Sequence, residues 1–351
     1  MNLLFKLHQW FSFLGNYASF GIAYLIETIV VLLFVTISFI ILIYVFRKYM
    51  ARIQLRIGPN RVGKFGLLQL MADALKLLGK ESILPKGRDN MAYRIAPIIT
   101  MMSIMVSFII IPYGGLYYFG NLTTTNSDIT LILMFGILSI MPIGEVLGGI
   151  STRSNYANLG ALRGIAKDVS FEVPMLISVL AIVMVSSRSF VTGGSTYNSL
   201  SLAGIVTNEV IPYGIIEPLG LIVFFISMVA RASYSPFDLS ESDSELISGA
   251  TTEYGGMRFG LFYIGLFGMV YLGSFLVSLL YLGGYNGPVS SQLGFIYLLV
   301  KTIILVLIAF LIWVSLPRMR IDRFVQFGWK YLLPLAVINL IYAGVFVLYI
   351  R

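Results

Sequence analysis

Eight long apolar runs constrain this chain before any other feature does. They cover Tyr24–Phe46, Ile95–Phe119, Ile129–Ile150, Val169–Ser187, Pro212–Ala230, Met257–Leu282, Leu293–Leu316 and Tyr331–Ile350. A helix of about 20 apolar residues is long enough to cross the hydrocarbon of a bilayer. Backbone groups find no water there, so only helices or closed barrels span it. Runs this continuous lack the alternation of a barrel strand. The expected fold is all-α: one polytopic membrane domain over residues 1–351 with about eight transmembrane helices. Charged residues make up only 11% of the chain. That is too few to give a soluble domain of this length a polar surface.

The placement of basic residues supports the same topology. Twenty of the twenty-four Lys and Arg fall in alternate connections: 47–94, 151–168, 231–256 with Arg258, and 317–330. Only Lys6, Arg188, Lys301 and Arg351 lie elsewhere. The positive-inside rule assigns the rich side to the cytoplasm or an equivalent compartment, with both termini on the other side. The net charge of +8 therefore reads as membrane topology rather than nucleic-acid binding,.

The composition also excludes several chemistries. With no cysteine, the chain holds no thiolate-ligated iron–sulfur cluster and no disulfide,. His8, the sole histidine, rules out a bis-histidine haem. No glycine-rich dinucleotide or Walker motif occurs,. Residues 1–21 lack the clean apolar core of a cleaved signal peptide and suggest an interfacial helix anchored by Trp10 and Phe11,.

The first basic connection contains a further helical signal. In Phe65–Lys80, Leu67, Leu68, Met71, Leu75 and Leu78 share one face, while Gln69, Asp73, Lys76 and Lys80 share the opposite one,. This amphipathic helix is too short and too charged to span. It fits a helix on the lipid surface, or equally a cavity wall or docking face at the interface.

Several ionisable residues interrupt the apolar runs, where each costs roughly 2.5–3.5 kcal/mol to insert. Glu145 follows Pro142 and Gly144, Glu172 lies in SFEVP, Glu217 precedes Pro218, and Lys301 lies about two turns into the seventh run. Two readings stand for each carboxylate: a structural pair with Lys301 or a neighbouring helix, or a site that holds and releases a proton. The connection Ser235–Arg258 concentrates Asp238, Glu241, Asp243, Glu245 and Glu253 on the otherwise basic side. It reads either as a docking surface or as a polar funnel toward the buried carboxylates. Interleaved Phe237, Leu239, Leu246 and Ile247 suggest a packed segment.

Four segments carry a family resemblance: Ala51–Glu81, Tyr156–Pro174, Ser235–Phe262 and Leu316–Leu340. In order and spacing they resemble the family of membrane-arm subunit 1 of respiratory complex I. The resemblance covers nearly the whole chain after about residue 20. It implies a subunit that is itself free of redox cofactors, within an NADH (or other donor):quinone oxidoreductase of an energy-transducing membrane. That membrane would be a bacterial or archaeal cell membrane or the mitochondrial inner membrane. Quinone is the implied substrate, and the iron–sulfur clusters would reside in peripheral partner subunits. The matching positions on the quinone side are Arg56, Gly58, Pro59, Asn60, Arg61, Phe65, Gln69, Asp73, Phe237 and Asp238. Glu172, Glu241, Glu245 and Glu253 match carboxylates of the proton or coupling path. Glu145, Glu217, Asp243 and Lys301 are added to that path here from their positions in the chain.

The chain also departs from the family pattern. Before PFDL the family usually has Glu-Thr-Asn-Arg; here Arg231 stands for the Glu and Tyr234 for the Arg. Ile150 and Asn155 replace a common Trp and Lys. One charge is reversed and another removed, and Glu145 and Glu217 are candidates to compensate. The alternative branch is the equivalent subunit of a membrane-bound hydrogenase or ferredoxin-linked complex, which uses no quinone.

Overall fold

The computed structural model describes residues 16–116, 120–121, 128–187, 199–209, 211–238, 240, 243–287 and 293–349. Among these, seven helical segments are long and apolar enough to cross a membrane. The first is α1 (Asn16–Ile53), and the amphipathic α2 (Gln69–Gly79), which is not one of the seven, separates it from α3 (Asn90–Ile110). A two-residue ladder, β1 (Gly115–Leu116) and β2 (Gly120–Asn121), follows α3. The helix thus ends well short of the expected Phe119.

The third apolar run forms two stacked helices, α4 (Thr130–Leu138) and α5 (Met141–Ser151). Pro142 has no N–H to donate, so it is accommodated at the start of α5,. The fourth span is much longer than its apolar run: α6 covers Asn155–Ser187. Lys167, counted as a connection residue from sequence, therefore lies inside this helix and is buried. Small residues explain the extension. Ala157, Gly160, Ala161 and Gly164 recur at helical spacing and put a tight face against neighbouring backbone,. A Cβ on Gly160 would lie 2.7 Å from the Ala250 nitrogen.

The fifth run is a broken helix. After α7 (Leu202–Thr207), one turn of α8 (Tyr213–Ile216) stops at Glu217, and Pro218 starts α9 (Pro218–Arg231). The break leaves α9 apolar but only 14 residues long. α10 (Asp243–Leu246) lies in the acidic connection. The central helix α11 (Gly256–Tyr281) is buried at every position from Gly265 to Tyr281. A helix apolar all round belongs inside a bundle, not against lipid. α12 (Gly294–Ser315) follows. The last span comprises α13 (Ile321–Gln326), a π turn over Phe327–Leu332, and α14 (Leu333–Tyr349). Gly328 lets that turn lie on α6, where a Cβ would come within 2.8 Å of the Ser170 carbonyl oxygen,.

Hydrogen bonds and ion pairs join the basic connections to one another. The Asp89 N–H donates to Ser151 O (2.9 Å) and the Met319 N–H to Pro236 O (3.0 Å). Arg163 pairs with Glu245, and Arg318 with Asp238 at 2.8 Å. Lys301 donates to the carbonyls of Leu282, Gly284 and Asn286 at 2.7, 2.9 and 2.9 Å. Lys301 thus ties α12 to the end of α11. Its ammonium meets backbone oxygens here, not one of the carboxylates considered as its partner from sequence.

Candidate functional site

The arginine-rich turn is built on the end of α1. Gly58 packs against it, so that a Cβ would lie 3.2 Å from the Lys48 side chain. Pro59 and Asn60 press on Gly66, whose φ of +77° and 2.3 Å Cβ approach to Pro59 O only glycine tolerates,. Arg56 donates to Gln54 Oε1 at 2.7 Å, and Arg61 is exposed. Phe65 is exposed, with its carbonyl accepting from the Tyr44 hydroxyl at 2.9 Å. Asp73 is held by Arg47 and by Gln69 Nε2 at 3.2 Å. Leu67, Met71, Leu75 and Leu78 are exposed, and Leu68, also exposed, packs on Gly63. Leu77, on the opposite side of α2, packs toward α11, where a Cβ on Gly260 would meet it at 3.2 Å.

A cleft of about 260 Å³ runs between α1, α11 and α12. Phe34, Leu42 and Val45 line it from α1, with Tyr271, Leu299 and Val306 opposite. It is almost wholly apolar. Its α1 wall ends one residue from Tyr44, the residue bonded to Phe65.

The acidic connection separates into distinct environments. Phe237 is buried among Phe171, Phe324 and Phe327. Asp238 pairs with Arg318, and Glu245 with Arg163. Leu246 is buried, whereas Ile247 is exposed. Glu253 is half-buried, and its carbonyl accepts from Tyr93 at 2.9 Å. Burial pushes the neighbouring Tyr254 phenol up to about 12, against the Ser151 hydroxyl that binds it at 3.1 Å. Asp243 lies in α10, while Glu241 and Leu239 fall outside the described residues, as do His8, Trp10 and both chain ends.

A cluster of five charged residues lies between α5, α6 and α9. Glu172 accepts from the Ser139 hydroxyl at the junction of α4 and α5. Arg231 Nη1 stands 3.8 Å from Glu172 Oε1, and its Nη2 donates to Leu138 O at 3.1 Å. Lys167 Nζ lies 3.6 Å from Asp168 Oδ1 and 4.0 Å from Glu145 Oε2. It also donates to the Ser233 hydroxyl and to Arg231 O. Glu145 and Asp168 line a cavity of about 10 Å³ together with Ser240 and Thr251, room for one water,.

Glu217 is fully buried at the break between α8 and α9. Its Oε2 accepts from Asn339 Nδ2 at 3.0 Å, and Asn339 Oδ1 accepts the Gly220 N–H at 3.1 Å. One amide on α14 thus serves both the carboxylate and an N–H group freed by the break.

Glu145 and Glu172 therefore border one charged cluster, whereas Glu217 and Lys301 have separate partners. Sequence reasoning missed the roles of Lys167, Asp168 and Arg231, and it missed Glu27 and Glu209. Glu27 on α1 is fully buried, and among the described residues neither of its carboxylate oxygens has a hydrogen-bond partner. Glu209 accepts the Tyr213 N–H at 2.8 Å. Burial raises its pKa to about 8, against the pull of that N–H and of Lys301.

The family model described as NADH dehydrogenase matches residues 26–344. A curated relative from Dehalococcoides mccartyi strain 195, named as the H subunit of NADH-quinone oxidoreductase, is 36% identical over 326 residues. A protein of the same name from strain CBDB1 is 37% identical over 326 residues. Each alignment covers 92% of this chain and 87% of the relative. With seven apolar spans among its described residues and a match over almost its whole length, this integral membrane chain belongs to the NADH dehydrogenase family, that of the NADH-quinone oxidoreductase H subunits.

Proposed function

We propose that this chain is a membrane subunit of a complex I-type NADH (or other donor):quinone oxidoreductase. It forms one wall of the quinone chamber and passes the charge change of quinone reduction to buried carboxylates. The observation carrying this reading is the apolar cleft on α1, whose lining residue Val45 is next in sequence to Tyr44, the residue that bonds the Phe65 carbonyl ahead of α2. A quinone has an isoprenoid tail and a polar head, and such a ligand needs apolar walls with a few polar groups at one end. Arg56, Gly58, Pro59, Asn60, Arg61, Gln69 and Asp73 supply that end. The family resemblance adds Phe237 and Asp238, which pack against Phe171, Phe324 and Arg318. The remaining wall comes from peripheral subunits, whose iron–sulfur clusters deliver the electrons; this chain contributes no redox centre.

Reduction of the quinone head consumes protons and changes the local charge. In a site of low dielectric, carboxylates respond strongly to such a change. Glu253, Glu245, Asp243 and Glu241 lead from the basic face, and Glu145 and Glu172 receive the signal. Glu217 and Lys301 extend the path toward the far side. The basic face lies in the cytoplasm or matrix, following the placement of Lys and Arg. Other membrane-arm subunits continue the ion path.

The test is quinone reduction by the assembled complex in vesicles. Arg56→Ala and Asp238→Asn are expected to lower quinone turnover with assembly intact. Full turnover in both variants would remove these residues from the site. Hydrogen-linked turnover with no reduction of any quinone would assign the chain to the hydrogenase-type branch.

A further inference from the structure

Resting on that reading, we infer that Glu145, Lys167 and Asp168 form a one-proton store on the coupling path, with Arg231 reserved as the counter-ion of Glu172. Charge counting motivates the inference. Fully ionised, the cluster of described residues holds three carboxylates against one ammonium and one guanidinium, leaving a single uncompensated negative charge. Lys167, Arg231 and Asp168 side chains are 0%, 1% and 7% exposed, and that of Glu145 is 15% exposed. An uncompensated charge in such surroundings is expensive, and one bound proton cancels it.

The geometry decides where that proton sits. A guanidinium does not give up its proton in a protein. Arg231 is fixed by Leu138 O and stands 3.8 Å from Glu172, whose oxygen also accepts from Ser139. That couple is balanced, and it faces the helix junction. The other trio has two carboxylates for one ammonium and faces the cavity. Glu145 and Asp168 both line it. Lys167 bonds to Ser233, whose hydroxyl lies 3.5 Å from that of Ser240 on the cavity wall. Both carboxylates thus border a space that holds one water,.

The step itself involves protons only. A hydronium in the cavity transfers H⁺ to a carboxylate oxygen of Glu145 or Asp168. One O–H bond breaks and one forms, leaving water and a neutral carboxyl, and release is the reverse. Lys167 stays an ammonium throughout and holds the two carboxylates close together. Among the described residues, the charged groups facing the store are Glu145 from α5, Lys167, Asp168 and Glu172 from α6, and Arg231 from α9.

The experiment uses the assembled complex and counts charge. Infrared pH titration of the resting complex is expected to show a carboxylic-acid C=O band that disappears in Glu145→Gln, because that cluster is already neutral. Asp168→Asn is expected to lose the same band, so the result does not depend on one variant assembling. Glu145→Gln combined with Lys167→Met restores the single negative charge and is expected to restore the band. In vesicles, protons moved per quinone reduced fall in the single variants and recover in the double. A band unchanged in both single variants, or a double variant that stays silent, overturns the store. Such a result, with quinone reduction intact, leaves the proposed function standing. Conversely, a titrating band in a wild-type complex that reduces no quinone sinks the proposed function alone.

Discussion

Asn339 on α14 reaches across the bundle to Glu217 at the broken helix, with its Nδ2 3.0 Å from Glu217 Oε2. The same amide accepts the Gly220 N–H, so a single side chain secures the break. Asn339→Leu leaves a buried carboxylate oxygen and a helix N–H without partners. We expect about 1–3 kcal/mol of destabilisation per orphaned group. A lowered thermal midpoint of the assembled complex in detergent is the measurement.

Arg231 and Glu172 predict a double-mutant cycle. Arg231→Gln removes the guanidinium 3.8 Å from Glu172. Breaking a fully buried pair costs about 3–5 kcal/mol because the other charge stays behind, and with Glu172 22% exposed the loss here is expected below that range,. Glu172→Gln in the same chain is expected to recover much of the loss. Additive losses in the cycle would show that the pair is not coupled.

Glu209 predicts a pH dependence. Its folded pKa is about 8 against an ordinary 4.5, with burial as the main cause. The folded chain then binds more protons than the unfolded one between those values, so stability falls as pH rises through that window. It is fully present below about 4.5 and lost above about 8. Glu209→Gln should flatten this slope, read as thermal midpoint against pH.

Lys301 predicts a local defect. Lys301→Met withdraws the ammonium from three carbonyls beyond the end of α11. Hydrogen bonds to charged groups contribute about 1.5–3 kcal/mol each. Water replaces part of that at an exposed end, so the expected loss is about one such bond. Faster amide exchange over 282–286, with α2 unaffected, would register it.

The bundle can be read from the sequence because hydrocarbon length and the Lys/Arg placement each imply the same count of spans. The charged cluster cannot. Lys167 and Asp168 precede the apolar part of α6, where polarity reads as a loop. The available signal was the spacing of Ala157, Gly160, Ala161 and Gly164, which extends a buried face through Lys167, Asp168 and Phe171,. Glu27 sits near the start of its run, where a carboxylate reads as interfacial; only the packing of α1 reveals its burial. Glu217 and Lys301 stood out from sequence, but their partners, Asn339 and three carbonyls, depend on tertiary contacts no local pattern encodes.

A quinone head at the turn between α1 and α2 is the contact on which the coupling scheme depends. Photolabelling of the assembled complex with an azido-quinone, followed by peptide mapping of this chain, measures it directly. Label is expected within Arg56–Asp73 and on the α1 wall between Phe34 and Val45, displaced by excess unlabelled quinone. Label confined to other chains of the complex, or to the exposed side of α14, would refute the contact.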